Sequence, residues 1–193
     1  DPFCGSGTIA LEAAMIGQNV APGYNREFIC EDWPMMKKEM WDEVRAEAEE
    51  AANYDQPLNI IATDIDHRMV EIAKRNVLEA GFDGIVEVKQ MQVLDFTTYE
   101  TDGVMIGNPP YGERIGEKEE IEDMINGLGT LMRNYPTWSV YMLSSMENFE
   151  AMYGRRATKK RKLFNGAMKT DYYQSCACMI TGISPAMLDW RIR

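Results

Sequence analysis

Apolar residues recur along this chain with two different periods. Thr8 to Ile16 (T-I-A-L-E-A-A-M-I) is rich in strong helix formers and predicts a helix opening out of a glycine loop, with Thr8 near its cap. Met69, Ile72, Ala73, Val77 and Ala80 fall on one side of a second helix, residues 67–80, which Gly81 ends. Glu117 to Tyr135 predicts a third, with Gly127 and Gly129 weakening its middle, and Met146 to Tyr153 a short fourth. Short apolar or alternating runs predict strands at 58–63, ending on Asp64, and at 85–88, continued by Lys89. Two more follow at Val104 to Ile106 and Trp138 to Leu143. Residues 20–57 are less regular. Their charged stretch, Met35 to Ala52, predicts a helix in a segment too long for a simple connection, hence an inserted element. Near the C-terminus, Arg161 to Phe164, Asn165-Gly166 and Ala167 to Gln174 predict a hairpin, because Asn-Gly favours the tight type I′ turn.

Strands alternating with helices predict an α/β domain with a parallel sheet and helices on both faces, to which the hairpin adds antiparallel pairing. A chain of 193 residues with 45% hydrophobic content suits one packed domain. No apolar run approaches the ~18 residues of a membrane span. Four cysteines (Cys4, Cys30, Cys176, Cys178) and one histidine, His67, make no zinc pattern, so no metal is expected. Reduced thiols and a cytoplasmic setting are expected instead.

The net charge of −11 argues against a general nucleic-acid binder, since counterion release rewards basic surfaces. The charge is uneven, however. Residues 39–50 and 117–123 are acidic, whereas Arg155-Arg156-Ala157-Thr158-Lys159-Lys160-Arg161-Lys162 holds six basic residues in eight. That run is either a solvated loop or a local phosphate contact in which Lys160 and Arg161 take part.

Two motifs carry candidate chemistry. The first is the N-terminal loop Asp1-Pro2-Phe3-Cys4-Gly5-Ser6-Gly7-Thr8, where Gly5 and Gly7 permit a sharp turn and close approach of the backbone to a ligand. The second is Asn108-Pro109-Pro110-Tyr111, following the predicted strand Val104 to Ile106. Asp64, closing a strand, is placed to accept both hydroxyls of a ribose, or else serves a turn; Asp66 is read as a helix cap and His67 as a helix-start residue.

Together, and about a hundred residues apart, the two motifs resemble the Rossmann-like amino-methyltransferases. The continuation N-P-P-Y-G-E-R, the stretches Pro22-Gly23-Tyr24-Asn25-Arg26-Glu27-Phe28 and Trp33-Pro34, and Lys162-Leu163-Phe164-Asn165-Gly166 are similar to the THUMP-linked rRNA guanine-N2 methyltransferase family (RlmL-like). The resemblance implies a class I methyltransferase fold, a mostly parallel sheet with a C-terminal antiparallel hairpin. It also implies one S-adenosylmethionine-dependent methyltransferase domain over 1–193, with a helical insertion near 20–57. In that layout a central strand precedes the glycine loop, and this chain starts at the loop. The expectation is therefore a catalytic-domain fragment whose first strand lies before Asp1, with a THUMP-type RNA-binding region further upstream.

By the same resemblance, Asp1 faces the methionine ammonium of S-adenosylmethionine, and the backbone from Phe3 through Cys4 and Gly5 to Gly7 lines its methionine arm. Ile65 packs on the adenine and Asp95 accepts its amino group, while Cys4 only fills space. The tetrad suits the chemistry implied. An exocyclic amino nitrogen is a poor nucleophile, because its lone pair is delocalised into the ring. Two acceptors aimed at its N–H bonds, the Asn108 side-chain oxygen and the Pro109 carbonyl, pull it toward tetrahedral geometry. Pro109 and Pro110 stiffen the loop, Tyr111 stacks on the base, and Arg114 meets a phosphate. The expected reaction is methylation of guanine N2 in 23S rRNA. The same tetrad also serves adenine-N6 methylation of DNA or RNA, and protein glutamine-N5 methylation. A module that binds without catalysing is the remaining reading.

Overall fold

The computed structural model describes residues 1–111, 117–166 and 168–177. Arg114, Ala167 and Cys178 lie outside them. The chain falls into two compact units, Cys4–Gln90 on the one hand and Asp1–Phe3 with Met91 onward on the other.

In the Cys4–Gln90 unit, helix α1 (Thr8–Gly17) begins on Gly7, whose left-handed backbone (φ 87°) turns the chain into the helix. Thr8 is its first residue, and the capping position belongs to the glycine, which no side chain assists. Ala10 and Ala14 form its buried face. Strand β1 (Ile60–Asp64) pairs in parallel with β2 (Val86–Gln90), from Ile60 opposite Val86 to Asp64 opposite Gln90. Helix α3 (His67–Glu79) joins them; Asp66 caps it by accepting from the Arg68 N–H, and Gly81, with φ 77°, follows its end. Its buried stripe is Val70, Ala73 and Val77, so Val70 belongs to the face the sequence pattern outlined. Ala73 and Val77 close a core with Ala10, Ala14, Ala62, Phe82 and Val86.

The expected insertion contains a short 3-10 turn (Ile29–Asp32) and helix α2 (Lys38–Ala51), which starts three residues later than Met35. No residue of α2 is fully buried, so its placement relies on polar ties and one ring stack. Arg45 reaches the Glu31 carboxylate at 2.5 Å and the Arg26 carbonyl at 3.1 Å, and Trp41 stacks on Phe28.

In the second unit, β3 (Val104–Gly107) and β4 (Ser139–Ser144) are parallel neighbours. The hairpin of β5 (Lys159–Asn165) and β6 (Met168–Ser175) adds to β4 through β6, giving the order β3-β4-β6-β5. Helix α4 (Glu117–Leu131) contributes Ile121, Ile125 and Leu128 to the core, where they meet Met105, Val140, Met142 and Tyr173. The short helix α5 (Phe149–Tyr153) stacks Phe149 on Tyr173.

Three local expectations change here. Gly127 and Gly129 do not interrupt α4, which runs through both to Leu131 before a 3-10 turn, Met132–Asn134. A side chain at Gly127 would meet Leu94, and one at Gly129 would fall on the carbonyl of Tyr153, so these glycines allow close packing. In the hairpin, Asn165 pairs with Met168, which places Asn165 at the end of its strand and not in the turn. The basic run is not one solvated loop: from Lys159 it is strand, with Lys159 to Phe164 exposed on both faces.

Candidate functional site

The glycine loop is held from several directions by chain-distant partners. Gly5 and Gly7 both have left-handed backbones, φ 51° and 87°. A Cβ on Gly7 would come within 3.3 Å of the Ala73 side chain, so only glycine lets α3 lie this close. The Cys4 N–H donates to the Thr63 carbonyl at the end of β1, 2.9 Å away. The Asn76 side-chain amide of α3 donates to the Ser6 carbonyl at 2.8 Å.

Asp64 is the centre of this arrangement. Its Oδ2 accepts from the Gly5 N–H at 3.0 Å and its Oδ1 from the Asp66 N–H at 2.9 Å. Each carboxylate oxygen has a second lone pair, so the group can position the loop and still receive a diol. Next to it, Ile65 is an exposed aliphatic side chain at 67% of its free area. Gln90, at the end of the neighbouring strand, donates to the Ile65 carbonyl at 3.0 Å and fixes that turn. Cys4 is buried, and burial, followed by the Asp64 charge, pushes its thiol up to about 11. A thiol held protonated is a space-filling group and not a nucleophile.

The other residues belong to the second unit. The Phe3 N–H donates to the Asp1 carboxylate at 3.2 Å. The Phe3 ring lies where a Gly107 Cβ would stand, 2.8 Å from it, so glycine at the end of β3 is required by this packing. Immediately after Gly107, Asn108 is exposed, Pro109 buried and Pro110 exposed. Tyr111 turns back so that its hydroxyl donates to Asn108 Oδ1 at 2.6 Å. That hydrogen bond shows the Asn108 oxygen aimed outward as an acceptor, with an aromatic ring beside it. Asp95 ends a 3-10 turn, Val93–Asp95, with its carboxylate exposed and unpartnered among the described residues.

On the hairpin, Lys160 is engaged internally. Its ammonium lies 3.2 Å from Asp171, 3.3 Å from the Tyr173 hydroxyl and 4.8 Å from the Tyr173 ring centre. Arg161 is exposed opposite Tyr172. Among the described residues no group of three or more His, Cys, Asp or Glu could hold a metal ion, and no helix is long and apolar enough to cross a membrane.

Sequence reasoning therefore placed the strand-end and loop residues, but missed Asn76, Gln90 and Thr63. Asn76 carries a weak signal, a short amide in the interior of an otherwise good helix. The other two hold the site through the main chain or onto it, at contacts no local pattern records.

Known proteins share this framework. The chain is 64% identical over 174 residues to YpsC of Bacillus subtilis (strain 168), provisionally named an RNA methyltransferase; the match covers 90% of this chain and 45% of that protein. It is 36% identical over 174 residues to the ribosomal RNA large subunit methyltransferase K/L of Shewanella frigidimarina (strain NCIMB 400), covering 88% of this chain and 24% of the relative. The chain thus spans less than half the length of these relatives. Among solved structures, SMU.472, provisionally described as a methyltransferase and crystallised with SAH, superposes with a TM-score of 0.87 at 47% identity, over 91% of this chain and 47% of that one. A protein of Listeria monocytogenes str. 4b F2365, provisionally described as an N6-adenine-specific DNA methylase, gives 0.84 at 54% identity, over 91% and 45%. The fold is accordingly the Rossmann-like α/β arrangement of class I methyltransferases. Residues 1–174 match the family described as RMKL-like, methyltransferase domain, and the chain belongs to that family.

Proposed function

We propose that this chain carries out S-adenosylmethionine-dependent methyl transfer to an exocyclic amino nitrogen in RNA, and that the nitrogen is N2 of a guanine in 23S rRNA. The observation that carries the reading is the tetrad: Asn108 Oδ1, exposed directly after β3, already accepts a hydrogen bond from an O–H donor. An amino N–H can take that donor's place. The naming of the K/L relatives supports an rRNA substrate.

The residues present suit the cofactor. Left-handed Gly5 has open space where a side chain would stand, Asp64 offers its remaining lone pairs to a ribose diol, and exposed Ile65 offers an apolar face to an adenine. Asp1, Phe3 and Cys4 belong to the same loop, and Asp95 supplies a free carboxylate for an amino group. The crystal structure of SMU.472 with SAH supports this assignment. S-adenosylmethionine supplies a methyl group on a sulfonium, an electrophile needing no further activation. Asn108 Oδ1 and the Pro109 carbonyl hold the amino nitrogen and localise its lone pair. Pro109 and Pro110 keep both acceptors rigid, and the Tyr111 ring stacks on the base. The methylated nitrogen is acidic, so water can take its proton and no general base is required. Arg114 and Arg161 are assigned to phosphates of the substrate. A THUMP-type region upstream supplies bulk RNA affinity, and the setting is cytoplasmic. The domain is read as 1–193, with 20–57 as its insertion.

The test is direct. Full-length protein is given methyl-labelled S-adenosylmethionine with unmodified 23S rRNA and, separately, unmethylated DNA, and the products are digested to nucleosides. Label in N2-methylguanosine is expected. Label in N6-methyladenine would move the target to adenine, the reading that the description of the Listeria protein favours. Label in neither would overturn nucleic-acid methylation.

A further inference from the structure

A cleft of about 320 Å³ opens between the end of α4 and the end of α5, and none of the residues assigned above lines it. Two arginines that the sequence separates, Arg133 and Arg155, line it beside Met132, Pro136 and Tyr153. Three features hold them there. The missing side chain of Gly129 lets α4 reach the Tyr153 carbonyl, which ties the two helix ends together. Arg133 Nη2 donates to the Thr130 hydroxyl at 2.8 Å, so the guanidinium is steadied on its own helix. Gly154, left-handed at φ 74°, turns the chain beside Arg133, whose Nη1 would be in ordinary contact, 3.5 Å, with a Cβ there.

Neither arginine is paired with a carboxylate among the described residues. The carboxylate of α5, Glu150, is turned onto the Ala157 N–H at 2.7 Å. Lys160 is held by Asp171, but Lys159, Arg161 and Lys162 stand exposed a few residues beyond Arg155. In a chain of net charge −11, two unpaired guanidiniums on one cleft beside a basic edge strand are a local exception. Guanidinium groups match phosphate oxygens by paired N–H donors, and a phosphate is the anion that recurs along a polynucleotide.

We infer that this cleft binds a backbone phosphate of the RNA substrate, with Arg133 and Arg155 as its clamp and the exposed cations of β5 continuing the track. The inference rests on the RNA reading under Proposed function. It adds Arg133 and Arg155 to the residues assigned to substrate phosphates.

The test measures binding of an unmodified 23S rRNA fragment to full-length protein across a salt series. Arg133→Gln with Arg155→Gln is expected to lower the slope of log affinity against log salt by about one and to weaken binding about ten-fold near physiological salt. The KM for RNA should rise with kcat kept, and the melting shift with S-adenosylmethionine should be unchanged. The single glutamine variants, each expected to give part of the effect, serve if the double variant does not fold. An unchanged slope in variants that still bind cofactor would overturn the inference while leaving the methylation reading intact. If inorganic phosphate is bound by wild type and lost in the variant while RNA binding is untouched, the cleft is a free-anion site and the RNA assignment is wrong. Absence of any labelled nucleoside with wild type would remove the underlying reading instead.

Discussion

Asn108 and Tyr111 are joined by a 2.6 Å hydrogen bond that uses the acceptor the proposed reaction needs. Asn108 Oδ1 has two lone pairs, so an entering base N–H can bond beside the tyrosine O–H or take its place. The ring and the hydroxyl of Tyr111 therefore have separable roles. Asn108→Ala should lower turnover about 10²-fold or more, the scale of losing one oriented polar group at a reacting centre. Its melting shift with S-adenosylmethionine should match wild type. Tyr111→Phe keeps the stacking surface and frees Oδ1, so kcat/KM should stay within a few-fold; Tyr111→Ala should lose about 5- to 150-fold, from ~1–3 kcal/mol of base stacking. Should Tyr111→Phe fall as far as Asn108→Ala, the hydroxyl has a chemical role and the stacking account fails. Asp64 behaves in the opposite way. It receives two backbone N–H groups, so Asp64→Ala releases the glycine loop as well as the ribose contact. The cofactor-induced melting shift should disappear first, with turnover partly regained at high cofactor concentration.

At the scale of elements, α4 shows why local propensity misleads. Glycine inside a helix costs roughly 1 kcal/mol relative to alanine, so Gly129→Ala considered alone ought to stabilise. Its Cβ would instead fall on the Tyr153 carbonyl, which is backbone and cannot step aside. Gly129→Ala should lose about 1–3 kcal/mol in a urea titration, as overpacking does. Gly127→Ala, facing the terminal methyl groups of Leu94 at 2.8 Å, should lose less, because a side chain can turn away. Equal and small effects at both positions would mean that α4 and α5 are not held this tightly. The same contrast explains what could be read in advance. The strands and helices were legible because burial imposes their periods on the residues themselves, and the positions of Asp64 at the end of β1 and of Asn108 just after β3 were legible from the strand pattern. The Gly5–Asp64 and Asn76–Ser6 contacts join positions 59 and 70 residues apart, and the Arg133–Arg155 cleft joins two helix ends. Tertiary packing creates these, and no window of sequence contains both partners. The hairpin failed by one residue for a related reason: turn propensity favoured Asn165-Gly166, while the pairing of Asn165 with Met168 fixed the register.

For the molecule as a whole, alkaline pH acts on both units through protons that the native state retains. In one unit Cys4 is buried, and that burial, with Asp64 nearby, moves its thiol from 9.0 up to about 11. In the other, burial moves Tyr153 from 10.0 up to about 12. In each case the folded group binds its proton more tightly than the unfolded one. The native state therefore holds more protons than the unfolded state once pH passes the ordinary value, and stability declines as pH rises. These contributions should be fully present at neutral pH, begin to fall above pH 9 through Cys4, and continue falling through Tyr153 up to about 12. Urea midpoints taken at pH 7, 9 and 10.5 should show this decline. The net charge of −11 adds self-repulsion that also grows with pH. Wild type and a single variant share that background, so the informative quantity is the difference between them. Cys4→Ala should flatten the decline between pH 9 and 11 while leaving the later portion in place. Tyr153→Phe should do the converse. Because Cys4 lies within the glycine loop, its ionisation should also lower cofactor affinity over the same interval, an effect Cys4→Ala removes and Tyr153→Phe does not. If Cys4→Ala declines with the wild-type slope, the thiol is not held protonated by burial, and the loop around it is more open than the packing of Cys4 requires.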